Sequence, residues 1–391
     1  MRLALIIGGA EPGHDGIGDH AALLAGELID RGHEAWLLAL SDPHVDGLQS
    51  QALIWHQREI PTVRIPRLLP ARERYALARA ALNQRDTKAV LYDLTTTHHE
   101  PRGLVWSLAP DMASLATGRR SAVLVHEYAL GSEQGAGLKR QLWGRLQRAG
   151  FRRFVRKLDR PHLAATNLLY AKMMQRDGLA AEVVDLYGNV SLHPAPQDNW
   201  CHAQLRAAGI APHGQRGYYV AGFFGTIYDG ADLAAAIPAL HDAARAADGR
   251  LAILSVGHLG AGENLWLQWQ SQFGPGTAAD IPFLALGRRD TNEVADYIHG
   301  LDLGLSTVSM SLAGKSGTLA AFTDFGLRAL MINDSVHYSY MPDNTICLPQ
   351  GALAPGPATT ALLTNQPHLP RVFRPMPTLQ TTADWVERVL G

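Results

Sequence analysis

Two glycine-containing segments, one in each half of the sequence, have residue types that can bind a phosphate group. In the later segment, residues 313–318 (AGKSGT), a lysine charge, two hydroxyls and exposed backbone amides precede a helical pattern. A P-loop would also need a glycine at position 309, where the sequence has Ser309. The alternative is structural, with Ser316 or Thr318 capping the helix and Lys315 in solvent. If the segment binds phosphate, its ligands are Lys315, Ser316, Gly317 and Thr318.

The earlier segment, residues 16–21 (GIGDHA), matches the Gly-x-Gly-x-x-Ala pattern of dinucleotide-binding loops. Asp42, at the end of the second apolar run, could then bind a ribose. However, a dinucleotide loop turns directly from strand into helix, whereas several residues separate Gly16 from the first run. Three interpretations stay open: a dinucleotide site, a loop that only packs, and a helix N-terminus that holds an anionic group. The third places Gly16, Gly18 and Asp19 in the site.

Histidines follow two other apolar runs of the first half. His126 ends the run 122–125, and ligand sites in parallel sheets form at such strand ends. A buried histidine bonded to the backbone is the structural alternative for His126. His98, His99 and Asp93 lie near the end of another run, at a spacing that matches no standard metal site. Since no Asp-x-Asp sequence occurs either, we expect no bound metal.

The elements that must position these residues are short apolar runs that alternate with helical patterns. Each run is typical of a buried strand, and strands separated by helices indicate βαβ units and a parallel sheet. The predicted strands are residues 3–7, 35–40, 89–92, 122–126 and 181–186 in the first half, and 218–224, 251–256, 282–286, 303–307 and 328–332 in the second. The periodicity fades over residues 189–196 and then restarts.

The fold class predicted from this pattern is α/β, with two Rossmann-like doubly wound domains that face each other across a cleft. Residues 1–190 form the first domain and residues 191–375 the second. Residues 376–391 are expected to form a helix that returns to the first domain.

Composition excludes several broad classes of protein. With 391 residues, of which 47% are apolar, the chain can form two domain cores and is not disordered. A formal charge of −1 gives no overall attraction to nucleic acid, so no nucleic-acid partner is expected. No apolar run is long enough to predict a transmembrane helix. Cys201 and Cys347 lie far apart, which favours a reducing cytoplasm over a disulfide framework or a cysteine-bound zinc site.

Residues 138–160 form a strongly basic segment, in which nine Lys or Arg side chains accompany one acid, Asp159. Trp143, Phe151 and Phe154 interleave with these charges. The pattern predicts peripheral binding to an anionic surface at the inner face of a membrane, or to an anionic acceptor. A solvated basic helix face is the alternative.

Taken in chain order, these motifs resemble the GT-B glycosyltransferases, specifically glycosyltransferase family four. The motifs are residues 16–20 (GIGDH), 28–34 (LIDRGHE), 125–127 (VHE), 187–190 (YGNV), 223–226 (FFGT), 286–288 (LGR), 301–304 (LDLG) and 325–327 (FGL). The resemblance implies transfer of a sugar from a nucleotide-sugar donor to a glycan or glycolipid hydroxyl. It also implies retention of configuration and no metal or cofactor, with the donor held mainly by the second domain.

The resemblance and the residue types together predict the site. The catalytic candidates are His126 and Asp19. The donor-binding candidates are Gly16, Gly18, Thr226, Arg288, Lys315, Ser316, Gly317 and Thr318.

The sequence departs from the family at two places. The family's Glu-x7-Glu would fall at Ala313 and Ala321, and residues 226–230 lack the Arg and Lys that follow the family's glycine. The alternative functions are a nucleotide-sugar epimerase, a non-catalytic glycan- or lipid-binding module, and an NAD oxidoreductase.

Overall fold

The computed structural model describes residues 1–14, 16–341 and 343–391. They form two compact α/β units. The first unit contains Met1–Asn189 together with Met376–Gly391, and the second contains Val190–Pro375. The α/β fold class with two parallel-sheet domains is confirmed.

The elements, numbered in chain order, alternate between strands and helices over most of the described residues. The strands are β1 (Arg2–Ile7), β2 (Glu34–Asp42), β3 (Gln49–Trp55), β4 (Arg58–Pro66), β5 (Ala89–Thr95), β6 (Arg120–Glu127), β7 (His162–Ala165), β8 (Glu182–Val183), β9 (Gly217–Phe224), β10 (Gly249–Val256), β11 (Phe283–Ala285), β12 (Leu303–Ser306), β13 (Ala329–Met331) and β14 (Ala352–Leu353). The α-helices are α1 (Gly16–Asp30), α2 (Ala71–Gln84), α3 (Thr96–His99), α4 (Ala109–Ser114), α5 (Leu138–Val155), α6 (Leu168–Arg176), α7 (Trp200–Ala207), α8 (Leu233–Ala246), α9 (Glu263–Phe273), α10 (Thr291–Gly300), α11 (Gly317–Asp324), α12 (Pro357–Asn365) and α13 (Thr378–Leu390). Short 3₁₀ helices span Gly260–Gly262, Met310–Lys315 and Asn344–Cys347.

Each unit is built on one sheet. The first sheet has the strand order β3-β4-β2-β1-β5-β6-β7-β8, and the second has the order β11-β10-β9-β12-β13-β14. All of the described strand pairs are parallel except β3 with β4. In both sheets the chain reverses its winding direction beside the first strand of the unit, which is where ligands bind in open α/β sheets.

The antiparallel hairpin of β3 and β4 was missed by the sequence analysis. Its turn consists of His56 and Gln57, whose φ angles are 45° and 65°. Two-residue hairpin turns usually carry Asn-Gly or Asp-Gly because both central residues need a positive φ. Since His-Gln carries no such signal, residues 49–66 did not stand out as strands.

Apolar strands with helices on both faces make up the core of each unit. In β9 the side chains alternate, with Tyr219 and Phe223 packing on α8 and α9 and Tyr218 and Val220 packing on α10 and α11. Strands buried on both faces read as continuous apolar runs, which is why most of them could be located in the sequence.

Helix α13 packs onto the first unit. Trp385, Val386 and Val389 join the same core cluster as β1 and α1. At the rim of this contact, Arg31, which directly follows α1, binds Asp384 at 2.6 Å and Glu387 at 2.9 Å.

Replacement of Arg31 by methionine is therefore expected to lower the free energy of unfolding by about 1–2 kcal/mol. The variant keeps the apolar stem but loses charge-assisted hydrogen bonds at a partly buried site. Urea denaturation followed by circular dichroism measures the change. The matched control is Arg245→Met, because Arg245 is 81% exposed on another helix. An equal loss in both variants would contradict the prediction.

None of the helices in the described part of the chain is both long and apolar enough to cross a lipid bilayer.

Candidate active site

A buried cluster of two histidines and one aspartate lies near the carboxyl edge of the first sheet. His20 Nδ1 is 2.9 Å from Asp93 Oδ2, and His126 Nε2 bonds the other carboxylate oxygen, Oδ1. The two imidazole rings meet edge to face, with their centroids 4.6 Å apart. Asp93 is completely buried, and both histidines are 6% exposed. The sequence pattern predicts a site role for His126, but it indicates no role for His20 and no partner for Asp93.

Three elements and one loop hold this cluster in place. Asp93 lies on β5 and His126 on β6, and these two strands are parallel neighbours in the sheet. His20 comes from the second turn of α1. Tyr187 stacks on its ring at 4.0 Å and donates a hydrogen bond from its hydroxyl to the His20 carbonyl at 2.6 Å. The alternative of a histidine bonded only to the backbone is therefore wrong for His126.

Burial and the contacts among the three side chains determine which groups of the cluster are charged. Burial alone would raise the pKa of Asp93, but the two imidazoles hold it well below its usual range. Burial lowers the pKa of His20, and Asp93 offsets only part of this effect. At neutral pH the cluster thus contains a carboxylate and a neutral His20 imidazole.

This protonation state determines which His20 nitrogen can act as a base. An ionised carboxylate only accepts hydrogen bonds, so His20 must donate from Nδ1 to Asp93. The lone pair of the neutral ring then lies on Nε2, which can accept a proton from a hydroxyl group. Asp93 also stabilises the imidazolium that such a transfer creates.

The same three residue types can also ligate a transition metal. One ligand atom from each residue lies within 4.8 Å of the others. However, the two imidazoles bind different oxygens of Asp93 at hydrogen-bond distance, so a shared metal would have to replace both hydrogen bonds. This geometry favours a hydrogen-bonded cluster.

His99, the more buried of the two other histidine candidates of the first unit, does not join the cluster. His99 lies on α3 and is 3% exposed, and neither of its ring nitrogens has a hydrogen-bond partner among the described residues. Burial lowers the pKa of His99 to about 3. It is therefore a neutral core residue at physiological pH.

The glycine segment near the N-terminus forms the start of a helix. Gly16 and Gly18 lie in the first turn of α1, so the connecting loop is the segment that precedes Gly16. Asp19 Oδ1 accepts hydrogen bonds from Gly13 N at 2.9 Å and from Trp55 Nε1 at 2.8 Å. Asp19 thus ties this loop and the β3–β4 hairpin to α1.

Asp42 does not suit the ribose-binding role that the dinucleotide interpretation requires. It is fully buried, and Arg64 binds its carboxylate at 2.7 Å. The carboxylate also accepts hydrogen bonds from the Ala10 and His44 amides. Because these partners already occupy the oxygens of Asp42, a ribose hydroxyl has none to bind.

In the second unit, several donor-binding candidates meet at the carboxyl end of β9. Gly225 follows this strand with a φ of 83°, a conformation that favours glycine and turns the chain towards Thr226. Thr318 Oγ1 donates to the Phe224 carbonyl at 2.8 Å, which ties the start of α11 to this turn. Thr307 Oγ1 contacts the Thr226 carbonyl at 3.4 Å.

The segment 313–318 combines a helix cap with a neighbouring cation, the two features that the sequence analysis treated as alternatives. Ser316 is the N-cap of α11, and its Oγ accepts a hydrogen bond from Leu319 N at 3.3 Å. Lys315 and Gly317 flank this cap, so a cation and exposed amides lie beside the end of β9. Arg288 is exposed after β11, two strands away, or about 10 Å at ordinary strand spacing.

Ala313 and Ala321 are core residues of the second unit, each 1% exposed. A glutamate at either position would place a charge among the apolar side chains that pack around β9. The departure from the family's Glu-x7-Glu is therefore consistent with local packing.

Comparison with known proteins gives matches in structure. No protein-family model matches the sequence, and no curated protein matches it. The catalytic domain of starch synthase IV from Arabidopsis thaliana, bound to ADP and acarbose, matches with a TM-score of 0.55 at 12% identity, over 100% of this chain and 98% of that one. HepE from Anabaena in complex with UDP matches with a TM-score of 0.55 at 11% identity, over 100% and 96%. UDP-GlcNAc 2-epimerase from Methanocaldococcus jannaschii matches with a TM-score of 0.51 at 11% identity, over 100% and 99%.

These matches span the whole chain and show that the fold is GT-B, as the sequence analysis predicted.

Proposed function

We propose that this protein is a glycosyltransferase that moves a sugar from a nucleotide-sugar donor to a hydroxyl group of a glycan or glycolipid acceptor. The observation that carries the proposal is the His20–Asp93–His126 cluster, which supplies acid–base chemistry at the ligand-binding edge of a GT-B sheet. Support also comes from two of the similar proteins, because starch synthase IV was solved with ADP and HepE with UDP. The two observations together favour nucleotide-sugar chemistry.

The proposed reaction divides between the two units. The second unit holds the donor diphosphate with Lys315, the Ser316–Thr318 segment and Thr226, because the leaving group is anionic and needs positive charge and backbone amides. Arg288 contributes further positive charge. In the first unit, an imidazole of the cluster contacts the sugar or takes the proton of the acceptor hydroxyl, and Asp93 orients it.

The first turn of α1 belongs to the proposed site of the first unit. Gly16 is exposed there and lets an anionic group approach the helix N-terminus, whereas Gly18 and Asp19 are buried behind it and Asp19 keeps the preceding loop in position.

The stereochemistry of the product distinguishes two versions of this mechanism. Retention, which the family resemblance implies, follows when the departing diphosphate takes the acceptor proton on the same face of the sugar. Inversion follows when an imidazole takes the proton on the opposite face. The resemblance implies the retaining version, whereas a neutral His20 base in the cluster gives the inverting one, and NMR of the first-formed anomer distinguishes them. We propose that neither version needs a metal, and the same assay in the presence of EDTA tests this.

A thermal-shift screen with UDP-, GDP-, ADP- and dTDP-sugars tests the function, since a ligand that binds only the native state raises the melting temperature. The donor that stabilises the protein is then incubated with and without glycan acceptors. Nucleotide release that depends on an acceptor supports the transferase. Sugar isomerisation without acceptor supports an epimerase instead, and the epimerase among the similar structures makes this the second candidate. Binding without turnover indicates a non-catalytic module.

We also propose that α5 associates with an anionic membrane surface at the cytoplasmic face. Leu138, Leu142 and Leu146 form a stripe on α5 that is 84%, 59% and 46% exposed. Of the three aromatic residues in the sequence prediction, Phe151 and Phe154 are completely buried in the core and cannot contact a membrane, whereas Trp143 is partly exposed. The exposed leucines and the flanking cations form the amphipathic face that such binding needs.

The double variant Leu142→Gln/Leu146→Gln is expected to reduce binding to anionic vesicles by about ten-fold or more, since each buried leucine side chain contributes about 1.5–3 kcal/mol. Liposome flotation with vesicles that contain or lack phosphatidylglycerol measures the binding of each variant. The matched control is Leu267→Gln, because Leu267 is 55% exposed on α9 of the second unit. Equal recovery of wild type with neutral and anionic vesicles would reject the proposal.

A further inference from the structure

We propose that the first unit binds a phosphate-bearing ligand in a basic cavity at the amino-terminal edge of its sheet. The cavity has a volume of about 560 Å³. Arg120 and Ser121 at the start of β6 and His162 at the start of β7 lie on its wall. Lys157 and Arg160, from the connection between α5 and β7, complete its charged side.

This cavity is separate from the proposed active site. Ser121 and His126 lie five residues apart on β6, which corresponds to about 16 Å along a strand. The cavity is at the amino end of the strand, and the histidine cluster is near the carboxyl end. A ligand in the cavity therefore does not contact the His20–Asp93–His126 cluster, and the inference does not depend on the proposed sugar transfer.

The charge of the cavity wall is strongly positive. Its lining contains four cations, Arg119, Arg120, Lys157 and Arg160, and one carboxylate, Asp159. Lys157 and Arg160 form no ion pair and no side-chain hydrogen bond within the described ranges of the chain. Two cations without a carboxylate partner are therefore available to an anion.

Of the two arginines on the opposite part of the wall, Arg119 has only neutral partners. It donates to the Thr87 carbonyl, the Leu115 carbonyl and Asn83 Oδ1. These contacts fix the position of its guanidinium but leave the positive charge to act on the cavity. Arg120 donates to a main-chain oxygen of Gly391, the last residue of the sequence.

A buried hydroxyl on the wall also lacks a partner. Ser121 is 4% exposed, and its Oγ makes no hydrogen bond to any described residue. A buried polar group without a partner is costly, and a phosphate oxygen that reaches this wall supplies the missing acceptor. Arg160 has a φ of 46°, which is unusual for a residue other than glycine, and such backbone conformations concentrate at ligand sites.

A second cavity of about 530 Å³ adjoins the first through Lys157 and extends the positive surface. Its lining adds three arginines from α5 and the segment after it, Arg152, Arg153 and Arg156, and one aromatic residue, Trp106. The guanidinium of Arg153 lies 4.8 Å from the centre of the Trp106 ring. A continuous surface with seven cations suits a ligand that carries two or more phosphate groups. The ligand is thus either a soluble oligophosphate or a phosphate headgroup at a lipid surface.

The test compares two probes on the full-length protein. Inorganic pyrophosphate, titrated by isothermal calorimetry, represents a soluble ligand, and vesicles with phosphatidic acid represent a phosphate headgroup. The double variant Lys157→Gln/Arg160→Gln is expected to weaken the binding of one of these probes by about ten- to a hundred-fold, because it removes two charge-assisted contacts. Weaker pyrophosphate binding identifies a soluble ligand, whereas a loss confined to the vesicles identifies a headgroup.

The matched control is Arg206→Gln/Arg245→Gln, which removes two positive charges from exposed helix positions of the second unit, outside both cavities, and is expected to leave the affinity nearly unchanged. Lys315→Ala separates this cavity from the proposed donor site of the second unit. An equal loss in the control double variant would overturn the inference, because the effect would then be general electrostatics. Pyrophosphate binding that is lost only in Lys315→Ala, or no binding of either probe to the wild type, would also overturn it.

Discussion

Replacement of Asp93 by asparagine is expected to lower kcat for sugar transfer by about 10²–10⁴-fold, the range that a positioned acid–base group contributes. Asp93 accepts hydrogen bonds from both His20 and His126, and its charge stabilises an imidazolium. An asparagine amide has no charge, and its NH₂ group can hold an imidazole in the wrong tautomer. Steady-state turnover of the donor identified by the thermal-shift screen measures the loss.

The pH dependence separates this positioning role from a loss of folding. Burial lowers the pKa of His20, and Asp93 is the main group that raises it. Without the carboxylate the pKa of His20 falls further, so a base that must be neutral stays neutral to lower pH. The acidic limb of the kcat/KM profile is therefore expected to move to lower pH in Asp93→Asn. Asp111→Asn, at a half-buried aspartate of α4, is the control. A folded Asp93→Asn protein with wild-type kcat and an unshifted profile would refute the proposed chemistry.

Lys315→Ala is expected to weaken the binding of a nucleoside diphosphate by about ten- to a hundred-fold, since a charge-assisted hydrogen bond contributes about 1.5–3 kcal/mol. The other contacts at the start of α11 are weaker, because a helix N-terminus contributes about 0.3–1 kcal/mol to anion binding. Ser316 is also engaged as the N-cap, and Thr318 donates to the Phe224 carbonyl. Binding of the bare nucleoside is expected to change much less, because it carries no phosphate.

Two arginines after β11 provide the comparison for Lys315. Arg288 is exposed, and Arg289 forms an ion pair with Glu293 at 3.4 Å. Calorimetric titration of the nucleoside diphosphate into Lys315→Ala, Arg288→Ala and Arg289→Ala distinguishes the three cations. If only the arginine variants lose affinity, the diphosphate lies nearer β11. If all three bind like the wild type, the donor site is not at this edge of the sheet.

Most of the fold could be predicted because each buried parallel strand appears in the sequence as a short run of apolar residues. The runs at residues 3–7 and 218–224 match β1 and β9 closely. The predicted strand at residues 181–186 shrinks to the two residues of β8, since edge strands with few partners have a weak apolar signal.

The basic segment at residues 138–160 shows that composition does not tell which side chains are buried. Helical spacing alone did not show that Phe151 faces the core while Leu142 faces solvent.

The sequence by itself determined the two α/β units and the types of residue that stand at the strand ends, because apolar period, glycines and charges are local properties of the chain. The GT-B fold was predicted from the resemblance of its motifs to a known family. Only the tertiary structure decided which of these residues meet. Residues 20, 93 and 126 lie far apart along the chain, and one cluster forms because α1 packs over β1 while β5 and β6 lie side by side. The same packing joined Asp42 to Arg64 and thereby removed a ribose-binding candidate. Which partner a side chain finds depends on the order of strands in the sheet, and strand order is a long-range property that local spacing does not encode.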